Sequence, residues 1–294
     1  MKVLITGSNG QLGNELQKII KAGKSEIGTI PKIYEDAKVV AVDVDRLDIT
    51  DKSATLKFIT DEKPDIIINC AAYTNVDACE ENFDVAYKIN ALGSLNLAQA
   101  AAEICAEFVH VSTDYVFSGD KTDGVPYREW DKTDPQSIYG KSKLLGEELI
   151  LTNYLFSYVV RTSWLYGYEG GNFVKTILKL ASEKDEIKVV NDQVGNPTNA
   201  NDLAHHILKL PFSDNYGVYH CTNNGICSWY DFAKEFVKLA GIDCKVTPCT
   251  TEEFPRPAKR PAYSALDNMA LRNTVGDEMR SWQDAIGSYM KNLA

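Results

Sequence analysis

The sequence predicts an α/β fold whose core is a doubly wound parallel sheet. Three observations support this prediction. Apolar runs of strand length alternate with helical patterns through the first half of the chain, a glycine-rich loop follows the first run, and 294 residues suffice for a large core. Strands that alternate with helices usually pack side by side as parallel strands joined by right-handed crossovers. We therefore expect a large α/β domain followed by a smaller one.

The first half of the chain contains five buried-type strands separated by amphipathic helices. Each strand is a short apolar run such as KVVAVD or DIIINC, and the helices place their apolar residues on one side. We predict strands over residues 2–6, 38–43, 65–70, 108–112 and 157–161, and helices over residues 12–20, 51–61, 86–103 and 139–151.

Three glycines, Gly7, Gly10 and Gly13, lie between the first strand and the first helix. At this position Gly7 permits a tight turn, Gly10 lets the backbone approach a pyrophosphate, and Gly13 lets the helix pack on the sheet. The GxxGxxG spacing by itself also fits an ordinary turn, but the strand before it and the helix after it favour a dinucleotide. Residues 1–160 are therefore predicted to form a Rossmann dinucleotide-binding domain.

After residue 161 the regular alternation stops. Helical patterns cover 173–181, 200–210, 229–240 and 282–293, a strand pattern covers 216–220, and the proline-containing stretch 247–261 has little periodicity. We expect residues 161–294 to form mainly a smaller C-terminal substrate-binding domain, with the chain returning to the first domain around 187–220.

The ends of the second and third strands supply candidates for contacts with the nucleotide. Asp43 can accept hydrogen bonds from both ribose hydroxyls and would repel a 2′-phosphate, which favours NADH. Asp48 with Ile49 fits either an adenine contact or a surface carboxylate beside a helix. Ala71 and Ala72 are small where the backbone must pass a cofactor, although two core alanines would look the same.

Tyr139 and Lys143 are four residues apart on a predicted helix and therefore share one of its faces. A lysine ammonium favours the phenolate and would lower the tyrosine pKa, making Tyr139 usable as a proton donor and acceptor. The spacing alone also suits a surface tyrosine packed on a lysine stem. Thr113 favours the catalytic interpretation, because it ends the fourth strand at the sheet edge where ligands bind.

The overall composition limits the classes of partner. The net charge of −10 argues against nucleic acid or an anionic membrane as the main partner. Seven cysteines without a CxxC pair or a secretion signal suggest reduced thiols and a cytoplasmic location. The four histidines show no ligand spacing with the cysteines, so we predict no metal site.

The motifs together resemble the extended short-chain dehydrogenase/reductase superfamily, and within it the dTDP-4-dehydrorhamnose reductases. The resemblance covers about residues 1–265 and lies in the glycine loop and the segments 69–77 (NCAAYTNVD), 110–119 (HVSTDYVFSG), 138–143 (IYGKSK), 161–166 (RTSWLY), 191–198 (NDQVGNPT) and 260–261 (RP).

The resemblance implies an NADPH- or NADH-dependent reduction of a dTDP-4-keto-6-deoxyhexose, which forms dTDP-L-rhamnose for surface polysaccharides. The implied roles are as follows: the catalytic set is Thr113, Tyr139 and Lys143; the cofactor contacts are Gly7, Gly10, Gln11, Leu12, Gly13, Asp43, Asp48, Ile49, Ala71, Ala72, Tyr73, Asn90, Tyr139 and Lys143; and the substrate contacts are Thr113, Asp114, Trp164, Arg256 and Arg260.

Some of these roles depend on the resemblance alone. Asn90 would support the active-site lysine through water. Arg256 and Arg260 would sit near the substrate diphosphate, because guanidinium groups bind phosphate bidentately, although a solvated basic loop would have the same composition.

The sequence also departs from the family. Tyr73 replaces the usual histidine, residues 23–37 lengthen the connection before the second strand, and no ligands for a metal at a dimer interface can be located. A monomer and a homodimer both remain open. The alternatives to the reductase are an epimerase or dehydratase of the same superfamily, or a regulatory subunit without activity. Tyr115 occupies the position where dehydratases carry a glutamate base.

Overall fold

A computed structural model describes residues 1–293 of the protein. Its strands are β1 (Lys2–Thr6), β2 (Lys38–Val42), β3 (Ile66–Asn69), β4 (Glu107–Thr113), β5 (Ser157–Thr162), β6 (Leu165–Tyr166), β7 (Glu186–Val190), β8 (Val194–Gly195), β9 (Thr198–Asn199), β10 (Gly217–His220), β11 (Cys227–Ser228) and β12 (Lys245–Cys249). Its helices are α1 (Gln11–Ala22), α2 (Lys52–Glu62), α3 (Val76–Glu81), α4 (Phe83–Tyr87), α5 (Ser94–Ile104), α6 (Ile138–Asn153), α7 (Phe173–Glu183), α8 (Ala200–Ile207), α9 (Trp229–Leu239), α10 (Met269–Thr274) and α11 (Trp282–Leu293).

The central sheet has six parallel strands in the order β10-β5-β4-β3-β1-β2. The strand order reverses between β1 and β3, which creates a crevice at the carboxyl ends of these two strands. The predicted α/β class and the parallel, doubly wound sheet are confirmed, and the five predicted strands of the first half coincide with β1 to β5 within two residues at each end.

Alternation along each strand builds a core on both faces of the sheet. Val3 and Ile5 of β1 face one layer, where they pack in a cluster with residues of α1 and α8 such as Leu16 and Leu203. Leu4 points to the opposite layer, which contains residues of α2 and α5. The sheet is therefore sandwiched between two helical layers.

The predicted helix over residues 86–103 is interrupted in the structure. A π-helical segment, Lys88–Gly93, joins α4 to α5, and it carries Asn90 fully buried in its middle. Such π segments widen a helix locally and occur frequently at functional sites. Helical periodicity could not reveal the segment, because its apolar residues still recur on one side.

A third core cluster lies outside the sheet and includes the buried aromatic residues Tyr166, Phe232 and Trp282. Beside it β12 pairs with β7 in parallel, so the expectation of an irregular stretch from residue 247 was wrong for its first residues. Pro248 is tolerated because β12 has a single neighbour in a two-stranded sheet.

β10 joins the central sheet beside β5. The boundary near residue 160 and the substrate-binding assignment of the later residues stay predictions.

The lengthened connection before β2 is anchored to distant parts of the chain. Tyr34 is fully buried. The carboxylate of Glu26 accepts hydrogen bonds from Tyr168 Oη at 2.6 Å and from Arg280 Nη2 at 3.0 Å, and the Glu26 amide donates to Asn201 Oδ1 at 2.8 Å. This loop therefore ties α1 to α8 and to the C-terminal helix region.

Within residues 1–293, no helix is both long and apolar enough to cross a membrane. The same part of the chain contains no group of three or more His, Cys, Asp or Glu side chains placed to hold a metal ion, and its seven cysteines are unpaired.

Candidate active site

A cavity of about 970 Å³ opens at the carboxyl ends of the central strands, over the crevice between β1 and β3. Most of the site residues predicted from the sequence meet there. The cavity is lined by Gly7, Gly10, Gln11, Leu12, Gly13, Asp43, Asp48, Ile49, Ala71, Ala72, Tyr73, Thr113, Asp114, Tyr139, Lys143 and Trp164. Asn90, Arg256 and Arg260 lie outside this lining.

Two glycines of the glycine loop, Gly7 and Gly13, have no room for a side chain. Gly7 has φ +64°, and a Cβ on it would lie 2.7 Å from the backbone nitrogen of Ala71. A Cβ on Gly13 would lie 2.7 Å from Ser8 Cα and would also collide with the Gly7 carbonyl oxygen. Gly10 is the N-cap of α1 and provides no side-chain cap, so the first amides of α1 are not capped by it. The loop therefore fits an anionic diphosphate at the helix N-terminus.

Asp43 lies beside this loop at the end of β2. Its Oδ1 accepts from the Val44 amide at 2.8 Å and its Oδ2 from the Asn9 amide at 3.1 Å. Two backbone donors thus hold the carboxylate at the edge of the cavity.

Asp48 is exposed, and hydrogen bonds from Thr50 lower its pKa. Both carboxylates line the cavity, and an adenine contact of Asp48 stays a prediction.

Tyr139 and Lys143 project from the first two turns of α6. Ser137 caps this helix by accepting from the Gly140 amide at 3.1 Å. A Cβ on Gly140 would collide with the Tyr115 carbonyl oxygen, so this glycine lets α6 approach the loop after β4 closely. The close approach places Tyr139 in the lining of the same cavity as Thr113.

Burial controls the ionisation of this site. It raises the pKa of Tyr139, and the hydrogen bond with Thr113 only partly opposes this. Burial also lowers the pKa of Lys143 to about 8, and it raises that of Asp114 to about 6. The expectation of a lowered tyrosine pKa was wrong for this arrangement, because burial has the largest effect on the pKa of Tyr139 and raises it.

Asn90 lies outside the cavity lining and forms hydrogen bonds with two segments that border the cavity. Its Oδ1 accepts from the Tyr73 amide at 2.8 Å, and its Nδ2 donates to Ser142 Oγ at 3.0 Å. Ser142 directly precedes Lys143, so Asn90 connects the loop after β3 to the catalytic helix. Its water-mediated support of Lys143 stays a prediction.

Trp164 forms one wall of the cavity in a strained backbone conformation, with φ +48°. Its ring stacks on that of Trp229, with centroids 3.6 Å apart and an interplanar angle of 7°. Trp229 also lines the cavity. Sequence reasoning missed it, because it is the first residue of α9, 65 positions after Trp164, and only the pairing of distant segments brings the rings together.

The two predicted arginines are placed differently from each other. Arg260 is mostly buried and forms an ion pair with Asp77 at 2.9 Å. Arg256 is exposed, with its guanidinium over the Phe254 ring at 4.8 Å. Both belong to the irregular segment after β12. Their contact with a substrate diphosphate stays a prediction.

Three features define an oxidoreductase of the short-chain dehydrogenase/reductase class. They are the Rossmann-type sheet, the glycine loop at its crevice, and the cavity shared by Thr113, Tyr139 and Lys143. The chain belongs to the RmlD substrate binding domain family, whose model matches residues 1–294.

Individual relatives are similar over nearly their whole length. The spore coat polysaccharide biosynthesis protein SpsK of Bacillus subtilis is 44% identical over 99% of this chain and 97% of its own. The crystal structure of a dTDP-4-dehydrorhamnose reductase from Clostridium acetobutylicum is 52% identical, with a TM-score of 0.93 over 100% of this chain and 99% of that one. The Bacillus anthracis dTDP-4-dehydrorhamnose reductase in complex with NADP is 41% identical, with a TM-score of 0.91 over 99% of both chains.

Proposed function

We propose that this protein reduces dTDP-4-dehydro-β-L-rhamnose to dTDP-L-rhamnose with NADPH or NADH, in the cytoplasm, as a step of surface-polysaccharide biosynthesis. The observation that carries the proposal is the single cavity in which the glycine loop meets Thr113, Tyr139 and Lys143. The similarity to dTDP-4-dehydrorhamnose reductases and to a polysaccharide biosynthesis protein supports the substrate and its context.

The residues of the cavity fit a dinucleotide. Gly7 and Gly13 allow the loop to pack tightly on the backbone around it, and Gly10 at the N-terminus of α1 would let a diphosphate approach the backbone. Asp43 lines the cavity and would accept hydrogen bonds from ribose hydroxyls, and Tyr73 with its neighbouring alanines would border the rest of the cofactor. When bound, the reduced dinucleotide supplies the hydride for the sugar C4 carbonyl.

The protein's own contribution is to position the carbonyl and to supply its proton. Thr113, whose hydroxyl donates to Asp114 Oδ1 at 3.0 Å in the structure, would turn this hydrogen to the carbonyl oxygen and polarise it. Tyr139 keeps its proton at neutral pH because burial raises its pKa, and it transfers that proton to the oxygen as negative charge develops there. Asp114 borders the same part of the cavity and contacts the sugar. The paired rings of Trp164 and Trp229 exclude water on the other side.

The rival functions make different predictions about the cofactor. An epimerase recycles a tightly bound dinucleotide, whereas a reductase consumes one reduced cofactor for each sugar. Dehydration is disfavoured because it needs a glutamate base at the position of Tyr115. Tyr115 cannot act as that base, since burial raises the pKa of its hydroxyl. A regulatory subunit would not require the complete set of Thr113, Tyr139 and Lys143.

A direct assay separates these functions. The protein is mixed with dTDP-4-dehydrorhamnose and either NADPH or NADH, the loss of absorbance of the reduced cofactor is followed, and the sugar product is identified by NMR. We expect one cofactor oxidised per dTDP-L-rhamnose formed. Conversion of the sugar without net oxidation would establish an epimerase instead. No oxidation with either cofactor, together with tight co-purification with another enzyme, would establish the regulatory alternative.

Asp43 should determine discrimination between the two cofactors. Asp43→Asn removes the negative charge while it keeps an acceptor for the Val44 amide. Because the carboxylate repels a 2′-phosphate, we expect the ratio of the NADPH Kd to the NADH Kd to fall about tenfold. Equilibrium fluorescence titration with each cofactor measures this ratio. Asp45→Asn, an exposed neighbour outside the cavity lining, is the matched control. An unchanged ratio in Asp43→Asn would exclude Asp43 from the ribose site.

Trp229 should contribute to substrate binding through its stack with Trp164. Trp229→Ala removes one ring of the pair and leaves Trp164 without support on that face. Loss of an aromatic pair costs about 0.5–1.5 kcal/mol, so we expect KM for the ketosugar to rise roughly three- to tenfold with little change in cofactor affinity. Steady-state kinetics with varied sugar and fixed cofactor measure the effect. Trp130→Ala, at an exposed tryptophan, should leave KM unchanged.

A further inference from the structure

The loop between β6 and α7, residues 167–171, lies against the first turn of α1, beside the glycine loop. Its residues Gly170 and Gly171 line the cavity. A Cβ on Gly167 would lie 3.4 Å from Gln11 Cβ, so the loop packs closely on the first side chain of α1. The loop therefore borders the cavity at the helix N-terminus, where a dinucleotide places its diphosphate.

Asn172, the residue after this loop, has a side-chain amide whose orientation is determined by the backbone. Its Oδ1 accepts from the Lys175 amide at 3.0 Å and thereby caps α7. Its Nδ2 donates to the Gly167 carbonyl at 2.8 Å. The first partner can only donate and the second can only accept, so rotation of the side-chain amide would break both hydrogen bonds. Asn172 therefore presents a hydrogen to any other group next to its Nδ2.

The third partner of Asn172 is the side chain of Gln11. Asn172 Nδ2 lies 3.0 Å from Gln11 Oε1. Because Asn172 donates, the oxygen of the Gln11 amide faces it, and the Gln11 nitrogen is on the other side of the amide. Gln11 lines the cavity, and within residues 1–293 its Nε2 donates to no protein group. The two hydrogens of this nitrogen are therefore available to a ligand.

We infer that Asn172 is a positioning residue for the dinucleotide: it orients the Gln11 amide so that the NH₂ group of Gln11 donates to a phosphate oxygen of the diphosphate. Gln11 is the first residue of α1 and follows Gly10, so its side chain starts at the helix end that attracts an anion. The opposite orientation would turn the Gln11 oxygen toward the diphosphate and repel it. The inference rests on the proposed function only in requiring a dinucleotide in the cavity.

The cavity offers few positive charges to a diphosphate, which makes a neutral donor important. In the part of the chain that the structure describes, Lys143 is the single lysine or arginine of the lining, and its amine donates to the Val111 carbonyl at 2.6 Å. Lys18 on α1 lies outside the lining and pairs with Glu169 at 2.9 Å. The diphosphate must therefore be bound mainly by backbone amides and by Gln11, and hydrogen bonds to an ionised acceptor are stronger than those between neutral groups.

Asn172→Ser tests this role without adding a charge. Serine keeps an oxygen that accepts from the Lys175 amide as a helix cap, but it has no NH₂ group to orient Gln11. We expect the Kd for NADPH to rise about three- to tenfold, the effect of weakening one hydrogen bond. Asn75→Ser is the matched control, because Asn75 also caps a helix, by accepting from the Ala78 amide at 3.1 Å, and lies outside the cavity lining.

A double-mutant cycle shows whether Asn172 acts through Gln11. Gln11→Met removes the donor itself, so Asn172→Ser should have no further effect on the Kd for NADPH in the Gln11→Met background. Isothermal titration calorimetry of the wild type, the two single variants and the double variant gives the four dissociation constants. An equal loss of affinity in both backgrounds would show that Asn172 only supports the loop at residues 167–171, and would overturn the inference.

ADP-ribose, which has the diphosphate but no nicotinamide, identifies the group that Gln11 contacts. We expect Asn172→Ser to weaken the binding of ADP-ribose by the same factor as that of NADPH. In ¹H–¹⁵N spectra, the side-chain NH₂ signals of Gln11, assigned by their loss in Gln11→Met, should shift when ADP-ribose is added to the wild type or to Asn75→Ser, and should shift less in Asn172→Ser. A loss confined to NADPH, or unmoved NH₂ signals in the wild type, would overturn the diphosphate contact.

The outcomes separate this inference from the proposed function, because none of these measurements requires turnover. Absence of ketosugar reduction in the wild type would contradict the proposed function, yet the cycle would still decide the role of Asn172. A cycle without coupling in an active reductase would overturn the role of Asn172 alone. Failure of the wild type to bind either NADPH or ADP-ribose would contradict both.

Discussion

Replacement of Tyr139 by phenylalanine is expected to lower kcat for ketosugar reduction roughly 10²- to 10⁴-fold, the usual contribution of a positioned proton donor. The variant removes only the hydroxyl of a side chain that lines the cavity together with Thr113. The ring, with its edge-to-face contact to Tyr115 at 5.5 Å, remains. Cofactor affinity should therefore change little, and single-turnover kinetics at saturating cofactor and sugar measure the chemical step.

Tyr230→Phe is the control for this prediction. Tyr230 lies on α9 outside the cavity lining, with Lys234 above its ring, so the loss of its hydroxyl should leave kcat unchanged. Turnover of dTDP-4-dehydrorhamnose by Tyr139→Phe at the wild-type rate would contradict the assigned role of Tyr139.

Arg161→Met is expected to destabilise the protein by about 3–5 kcal/mol, because it leaves a buried carboxylate without its counter-charge. Arg161 and Glu147 are 5% and 2% exposed, and the guanidinium contacts both carboxylate oxygens of Glu147, with Nη2–Oε2 at 2.6 Å and Nε–Oε1 at 3.0 Å. Ser112 Oγ also donates to this carboxylate. Urea unfolding followed by circular dichroism measures the loss.

A second substitution tests whether the cause is the unpaired charge. Arg161→Met combined with Glu147→Leu should recover most of the lost stability, because replacing both partners removes the uncompensated charge. Lys57→Met, which breaks an ion pair whose side chains are 77% and 63% exposed, should have little effect. A double variant as unstable as Arg161→Met alone would instead indicate that the arginine acts by packing on the Phe117 ring.

Much of the site could be predicted because the chemistry of dinucleotide binding is local. The glycine loop, Asp43 and the pair Tyr139 and Lys143 each follow a strand or begin a helix, and the carboxyl ends of parallel strands meet at one edge of the sheet. The order of strands and helices was therefore sufficient to bring these residues together. The same reasoning does not extend to Arg256, which belongs to a segment without periodicity and lies outside the cavity lining, so its contact with the substrate stays a prediction.

The sequence by itself determined the elements of the sheet and which residues stand at their ends, since hydrophobic periodicity and glycine positions are properties of neighbouring residues. Only the tertiary structure decided which distant groups touch. Three contacts join segments that are far apart in the chain: the stack of Trp164 on Trp229, the pairing of β12 with β7, and the contact of His110 with Lys143. Burial, which sets the pKa of Tyr139 and of Lys143, exists only after those segments have packed together.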